Sequence, residues 1–186
     1  MRVIGGSARG RRLASPEGRS VRPTSDRVRQ SLFDLLGQRC DGLNVLDLYA
    51  GTGALGIEAL SRGAARATFV ERDPKVLRLL EENLRALGFS ERSRALRRDA
   101  SLGASGRFDL VFLDPPYALG VAGPLQGLLG AREFSLAPEG RVVVEHDRGE
   151  VAPAALGGLV RYDQRDYGRT RLSLYRAADA EEEPPK

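Results

Sequence analysis

The 186-residue chain is 41% hydrophobic, enough to bury the core of one α/β domain with a short extension, which excludes wholesale disorder. No apolar run nears the roughly 18 residues that span a membrane, and the start MRVIGGSARGRRL lacks a secretory stretch, so a cytoplasmic protein with no membrane partner is expected. Cys40 and His146 are the only Cys and His, which excludes an internal disulfide and a Cys/His zinc site; no metal is expected.

The net charge of +4 is unevenly spread. Residues 1–30 hold eight arginines (Arg2, Arg9, Arg11, Arg12, Arg19, Arg22, Arg27, Arg29) against Glu17 and Asp26, so this segment carries +6. A basic arm on a near-neutral body is the footprint of a phosphate-backbone binder. Arginine bias alone explains Arg over Lys, but not why acids are scarce in this one stretch. Within it, Gly5-Gly6 and Pro16-Glu17-Gly18 signal turns, so residues 1–24 read as a small β-hairpin or extended arm. Thr24 or Ser25 can cap a helix whose apolar face is Val28, Ser31, Leu32, Leu35 and Leu36, stopped at Gly37.

From residue 43 strands and helices alternate. Strands are expected at Asn44–Tyr49, Arg66–Glu71, Ser93–Arg98, Phe108–Leu113 and Arg141–Glu145. Helices are expected through about Ser61, over Pro74–Leu87 and near Gly123–Gly130. This alternation predicts a parallel sheet covered on both faces. Leu159–Asp166 and Thr170–Arg176, joined at Tyr167-Gly168-Arg169, predict an antiparallel hairpin at a sheet edge, and the proline-rich acidic tail from Ala180 reads as disordered.

Residues 45–56, VLDLYAGTGALG, place Gly51, Gly53 and Gly56 in a G-x-G-x-x-G pattern between a strand and a helix, where a loop must turn tightly and approach a ligand closely. Glu71 ends the next strand, where an acid can accept from ribose hydroxyls. Both features suit nicotinamide cofactors as well as S-adenosylmethionine. Asp47 shifts the balance, because a carboxylate ahead of the glycines repels a pyrophosphate and favours an ammonium or sulfonium group. Asp99, ending the third strand, can meet an adenine amino group or be a solvated loop acid.

Asp114-Pro115-Pro116-Tyr117 follows the apolar strand FDLVFL. The prolines stiffen the turn. The Asp carboxylate and a proline carbonyl can then accept both protons of an exocyclic amine, drawing its lone pair out of conjugation and toward a methyl donor. Tyr117 can stack on the base. An ordinary Asp-Pro turn is the plainer reading of the tetrapeptide alone; its place at a strand's carboxyl end favours the chemical one. His146 ends the fifth strand as a possible base or a packed strand-end residue, and Cys40 reads as a small apolar boundary residue.

Taken together, RPTSDRVRQSLFDLL, LDLYAGTGALGIEALSRGA, FVERD, FDLVFLDPPY and VVVEH resemble the RsmD family of bacterial 16S ribosomal RNA (guanine-N2)-methyltransferases, in order and spacing from about Arg2 to Arg176. The resemblance implies a Rossmann-like class I methyltransferase fold: a seven-stranded, mostly parallel sheet with an antiparallel edge hairpin and a small N-terminal extension. It divides the chain into a basic extension (1–40), a methyltransferase domain (41–177) and an acidic tail (178–186). It implies S-adenosylmethionine as cofactor, held by Asp47, Gly51, Gly53, Glu71 and Asp99 with their neighbours Tyr49, Arg72 and Ala100. Asp114, Pro115, Pro116 and Tyr117 are then the catalytic set, and Arg9, Arg11, Arg12, Arg22, Thr24 and Arg27 the RNA-binding set, with the segment from Arg22 to Arg27 near the active-site mouth. The implied partner is small-subunit ribosomal RNA within an assembled or assembling 30S particle, met by a monomer. The rivals are a DNA adenine-N6 methyltransferase, for which the chain is short of a sequence-reading domain, a glutamine methyltransferase, where Asn would replace Asp114, a nucleotide-binding oxidoreductase, which leaves DPPY without a task, and an inactive RNA-binding module.

Overall fold

The computed structural model describes residues 1–15 and 26–178. The proposed helix caps Thr24 and Ser25, the Pro16-Glu17-Gly18 turn, Arg22 and the acidic tail lie outside the described residues.

Continuous apolar runs make the central strands. In β1 (Asn44–Leu48) Val45, Leu46 and Leu48 are fully buried, as a strand covered on both faces requires. Around it lie β2 (Arg66–Glu71), β3 (Ser93–Arg97), β4 (Gly106–Leu113) and β5 (Phe134–Asp147), followed by β6 (Ala155–Leu156), β7 (Leu159–Tyr167) and β8 (Thr170–Ala177). The order across the sheet is β3-β2-β1-β4-β5-β8-β7-β6, parallel from β3 to β5 and antiparallel thereafter. This is the Rossmann-like α/β arrangement of class I methyltransferases. The chain moves outward from β1 in both directions, so a crevice opens beyond the carboxyl ends of β1 and β4, the place where open α/β sheets take ligands.

Two expectations need correction. The sheet has eight strands rather than seven, because β6 pairs with β7 through only two residue pairs, too short to show an alternating pattern. The fifth strand starts at Phe134 instead of Arg141: Leu136 pairs with Phe108 but Arg141 with Leu110, so β5 bulges around Pro138 before resuming.

Helices α1 (Asp26–Leu35), α2 (Ala54–Ser61) and α3 (Pro74–Ala86) pack on one face of the sheet, through Leu32, Phe33, Ile57, Leu60, Leu77 and Leu80 against Val45, Phe69 and Phe112. Asp73 caps α3, accepting from Lys75 N at 2.8 Å, with Pro74 at its first position. On the other face, α4 (Ala122–Leu129) covers Leu46, Val111 and Val144 through Leu125 and Leu128.

The buried face of α1 differs from the expected one. Phe33 and Arg29 are fully buried, whereas Ser31 and Leu35 are only half-buried. Phe33 is drawn in by Phe112, at 5.8 Å between ring centroids, and by the Arg62 guanidinium 4.7 Å above its ring. Arg29 is drawn in by Glu58 of α2. The Glu58 carboxylate is 1% exposed; it accepts from Ile4 N at 2.8 Å, Gly5 N at 2.7 Å and Arg62 Nε at 2.8 Å, and lies 3.7 Å from Arg29 Nε. Arg29 also donates to the Arg2 carbonyl and to Asp26 Oδ1. One acid thus fastens the N-terminal arm to α1 and α2.

The arm starts as a small hairpin, in which the antiparallel bridge of Arg2 with Arg12 is flanked by Val3 N donating to Arg11 O at 2.9 Å and Leu13 N to Met1 O at 3.1 Å, and it is pinned to the domain at two further points. Ser7 N donates to Ser61 O at the end of α2 (2.7 Å). Asn83 of α3 accepts from Ala14 N at 2.7 Å and donates both to Ala14 O and to Thr52 O in the glycine loop.

Removing the central acid strands a buried guanidinium. Glu58→Ala should cost about 3–5 kcal/mol of unfolding free energy, measured by denaturant titration; a loss below about 1 kcal/mol, the worth of an exposed pair, would show that this cluster does not hold the arm.

Candidate active site

The candidate residues come from the strand ends and the loops that follow them. Alternation places Asp47 on the α1–α3 face of β1, one step before Leu48, with its Oδ2 accepting from Gly56 N at 2.9 Å. Gly56 is required there by close packing, since a Cβ would stand 2.3 Å from the Phe69 ring and 3.1 Å from Asp47 Oδ2. Gly51 has φ +55° with open space where a side chain would point, so the loop presents bare backbone to the crevice. Tyr49, between them, takes a φ of 62°, a strained conformation for a bulky residue of the kind that clusters at functional sites.

Glu71 bridges the two cofactor-side loops. One oxygen accepts from Gly51 N at 3.0 Å and the other from Asp73 N at 2.8 Å. Arg72 is exposed beside it. Asp99 is exposed at the end of β3 and caps the short turn Ala100–Leu102 by accepting from Ser101 N at 2.9 Å, which holds its carboxyl below the usual range; Ala100 is buried. Burial raises the Tyr49 phenol, with the Asp99 charge adding and Arg72 opposing. Asp47, Tyr49, Gly51, Gly53, Glu71, Arg72, Asp99 and Ala100 therefore all come from the carboxyl-end part of β1, β2 and β3 and the loops that follow them.

Asp114 follows Leu113, the last residue of β4, on the other side of the crevice. It is half-buried and Pro115 is buried, whereas Pro116 and Tyr117 are exposed, Tyr117 by 44%. Leu48 pairs with Leu113, so the tetrapeptide starts one residue beyond the level at which β1 gives way to Tyr49 and the glycine loop. The cofactor-side loops and the tetrapeptide meet across neighbouring strands.

The basic residues are divided by the fold. The carbonyl of Leu36, just past α1, accepts from Arg141 at the start of the regular part of β5, so α1 ends at the amino end of the sheet and its first turn, with exposed Arg27, points to the carboxyl end. Arg11 instead donates to Ala86 O at the end of α3, and Arg9 follows the Ser7–Ser61 contact at the end of α2. Arg9, Arg11 and Arg12 are exposed, but Arg9 and Arg11 stand toward the amino end, away from Asp114. A concavity of about 680 Å³ between the arm and the end of α2, lined by Arg9, Arg39 and Arg62 among others, lies at that far end too.

His146 is buried and engaged at both ring nitrogens, Nδ1 with Asp147 O and Nε2 with Ser173 Oγ, each at 2.9 Å. Burial lowers its pKa. It shares the α4 face with Val144, so it packs at the strand end. Cys40 is buried, with its thiol pushed up to about 11 by burial, and is no nucleophile. Among the described residues no group of His, Cys, Asp and Glu side chains could hold a metal ion.

Sequence reasoning missed Glu58, Arg29 and Asn83. Glu58 alone left a trace, as the one acid inside the otherwise apolar helix ALGIEALS.

Desolvation pushes the Asp47 carboxyl up to about 7, with the Gly56 N–H opposing and the Glu71 charge adding. An acid whose folded pKa exceeds its unfolded value of about 4 keeps its proton longer when folded, so its contribution to stability falls as pH rises from about 4 to about 7 and is level above. Asp47→Asn, which retains an acceptor for Gly56 N, removes that slope. Thermal unfolding across this range should show the variant gaining on the wild-type protein as pH rises; a constant difference would mean the carboxylate is not desolvated.

The chain is similar to known proteins along nearly its whole length. The family model described as Conserved hypothetical protein 95 matches residues 1–176. YlbH of Bacillus subtilis (strain 168) is 40% identical over 182 residues, covering 95% of this chain and 98% of YlbH. Ribosomal RNA small subunit methyltransferase D of Escherichia coli (strain K12) is 36% identical over 178 residues, covering 94% and 89%. The solved structure of Escherichia coli yhhF superposes with a TM-score of 0.82 at 35% identity, covering 95% of this chain and 97% of that one. The chain belongs to the Conserved hypothetical protein 95 family, a family of S-adenosylmethionine-dependent methyltransferases related to RsmD and YlbH.

Proposed function

We propose that this protein transfers a methyl group from S-adenosylmethionine to the exocyclic N2 of a guanine in small-subunit ribosomal RNA, acting in the cytoplasm on a 30S particle or its precursor. The observation that carries the reading is the tetrapeptide Asp114–Tyr117 at the carboxyl end of β4, across the crevice from the glycine loop of β1. The relative from Escherichia coli, named for small-subunit ribosomal RNA and similar along nearly the full length, supports the substrate class.

The residues suit the cofactor. Gly51 leaves room for a ligand against its backbone, and the Glu71 carboxylate, held by two loop amides, can accept from ribose hydroxyls. Asp47 lies in a dry position where an approaching cation favours its charged form. When bound, the cofactor supplies an electrophilic methyl carbon on a sulfonium, whose departure leaves a neutral thioether. Asp114 accepts a hydrogen bond from the amine and a proline carbonyl accepts the second, which orients the nitrogen lone pair. As the nitrogen gains positive charge the Asp114 carboxylate stabilises it, and the surplus proton leaves by way of that carboxylate to solvent. Tyr117 is exposed enough to stack on the base. Arg27 at the same end of the sheet offers charge to the RNA backbone.

Labelled methyl transfer should be compared on small subunits lacking the modification, on naked ribosomal RNA and on duplex DNA, with the product identified by nucleoside mass spectrometry. N2-methylguanosine from the ribosomal acceptors is expected; N6-methyladenine in DNA would overturn the substrate assignment. In the same assay Asp114→Ala should lower kcat by roughly a hundredfold or more while cofactor affinity stays near wild type; unchanged turnover would refute the amine grip.

Glu71→Ala should weaken S-adenosylmethionine binding by about 10- to 100-fold, the effect of losing hydrogen bonds to a charged acceptor. Calorimetry showing wild-type affinity would place the ribose contact elsewhere.

A further inference from the structure

The register of β4 and β5 brings a second carboxylate to the base-reading side of the crevice. Leu113 pairs with Val144, so the next residues, Asp114 and Glu145, stand side by side at the carboxyl ends of neighbouring parallel strands about 4.8 Å apart. Phe112 and Val143, one step before Leu113 and Val144, both belong to the core under α1 and α2; Glu145, within β5, continues that alternation, and Asp114 follows directly on the last residue of β4. Glu145 is 6% exposed, and its neighbour on the opposite side, across the antiparallel pair, is the fully buried Leu172. His146, the next residue, turns to the other face and is occupied there by Asp147 O and Ser173.

From this juxtaposition we infer that Glu145 is the residue that selects guanine, accepting a hydrogen bond from N1–H while Asp114 holds the neighbouring N2 amine. The inference rests on the proposed guanine-N2 activity and adds the means of recognition. On its Watson–Crick edge guanine presents two adjacent donors, N1–H and N2–H. Two adjacent carboxylates, which offer only acceptors, complement that pattern. Adenine presents an amine beside N1, a bare acceptor, which would face Glu145 lone pair to lone pair. In a site shielded from water such a mismatch is disfavoured, because two acceptors then face each other with no proton between them. The tetrapeptide serves adenine and guanine amines alike; the acid on the adjacent strand distinguishes them.

The test separates hydrogen-bond reading from structural support. Small subunits are reconstituted with either guanine or 2-aminopurine at the nucleotide that the wild-type enzyme methylates. 2-Aminopurine keeps the N2 amine but has no proton on N1. Wild-type enzyme should prefer guanine by about 10- to 100-fold in kcat/KM, the effect of an unmade hydrogen bond to a charged group. Glu145→Gln, whose carboxamide can donate to a bare N1, should reduce or reverse that preference while cofactor affinity stays at the wild-type level. Equal wild-type rates on both acceptors would overturn the inference without any variant, which keeps it testable should Glu145→Gln fold poorly. A variant that slows both acceptors equally would overturn it as well and give Glu145 a structural role. Absence of N2-methylguanosine from wild-type enzyme on the guanine acceptor would instead overturn the activity on which the inference rests, and the inference with it.

Discussion

The Glu58 carboxylate is the constraint from which the rest of the site's geometry follows. A carboxylate 1% exposed is tolerable only if its charge is matched and its lone pairs are used. Glu58 meets both conditions with two backbone amides of the arm, Arg62 of its own helix and Arg29 of α1. Arg62 in turn lies over Phe33, and Phe33 packs on Phe112, two residues before Asp114. A continuous set of contacts therefore runs from the arm through a buried charge cluster and an aromatic pair to the strand that carries the tetrapeptide. Buried ion clusters add little net stability relative to apolar packing. Their effect here is to fix register, because a guanidinium and a carboxylate that must find each other out of water leave α1 few alternative positions on the sheet.

A second constraint is the concentration of acids at the carboxyl end of the parallel strands. Glu71, Asp114 and Glu145 stand one residue past the last mutual pairs of β2, β1, β4 and β5 or close to them, with Asp47 a step deeper. Desolvation pushes the carboxyl of Asp47, the most enclosed of them, up to about 7, with the Glu71 charge adding a smaller part. A cation entering the crevice relieves that cost. The arrangement therefore discriminates by charge between a sulfonium cofactor and the pyrophosphate of a dinucleotide, which the glycine pattern alone does not. Fold and charge answer different questions: the switch point is where open α/β sheets take ligands, and on the proposed function the acids favour a cationic cofactor over a pyrophosphate.

Much of this was legible in the sequence. The apolar runs of β1, β2 and β4 and the glycine loop are local signals, and strands buried on both faces leave little freedom in reading them. The tetrapeptide was legible for the same reason, since a polar residue followed by two prolines after FDLVFL has to end a strand. What escaped notice depended on pairing between distant segments. The true inner face of α1 includes Arg29, a residue type expected outside, because its partner Glu58 lies on another helix. The start of β5 at Phe134 was hidden by Pro138 and Gly140, which read as a loop but form a bulge that the neighbouring strand bridges. The row formed by Asp114 and Glu145 requires the register of two strands separated by more than twenty residues, which no local pattern encodes.

The arm shows how the two halves of the function are joined mechanically. Arg9 and Arg11 are tied toward the amino end of the sheet, whereas Ala14, a few residues on, is fastened by Asn83 to the carbonyl of Thr52 within the glycine loop. The arm therefore crosses the outer surface of α2 and α3 from one end of the domain to the other and terminates, in the described structure, against the cofactor loop. Asn83 is 4% exposed and all three of its hydrogen bonds join backbone groups, so displacing Ala14 would leave its buried side-chain oxygen without a donor, with the bond to Thr52 O remaining. A cofactor loop braced in this way does not move independently of the arm. The arm and the glycine loop are thus joined through one side chain, with the exposed arginines Arg9, Arg11 and Arg12 on the outside of the domain and the Asp47 carboxyl buried beneath the loop. On the proposed function, that separation keeps the charge offered to RNA apart from the charge offered to the cationic methyl donor.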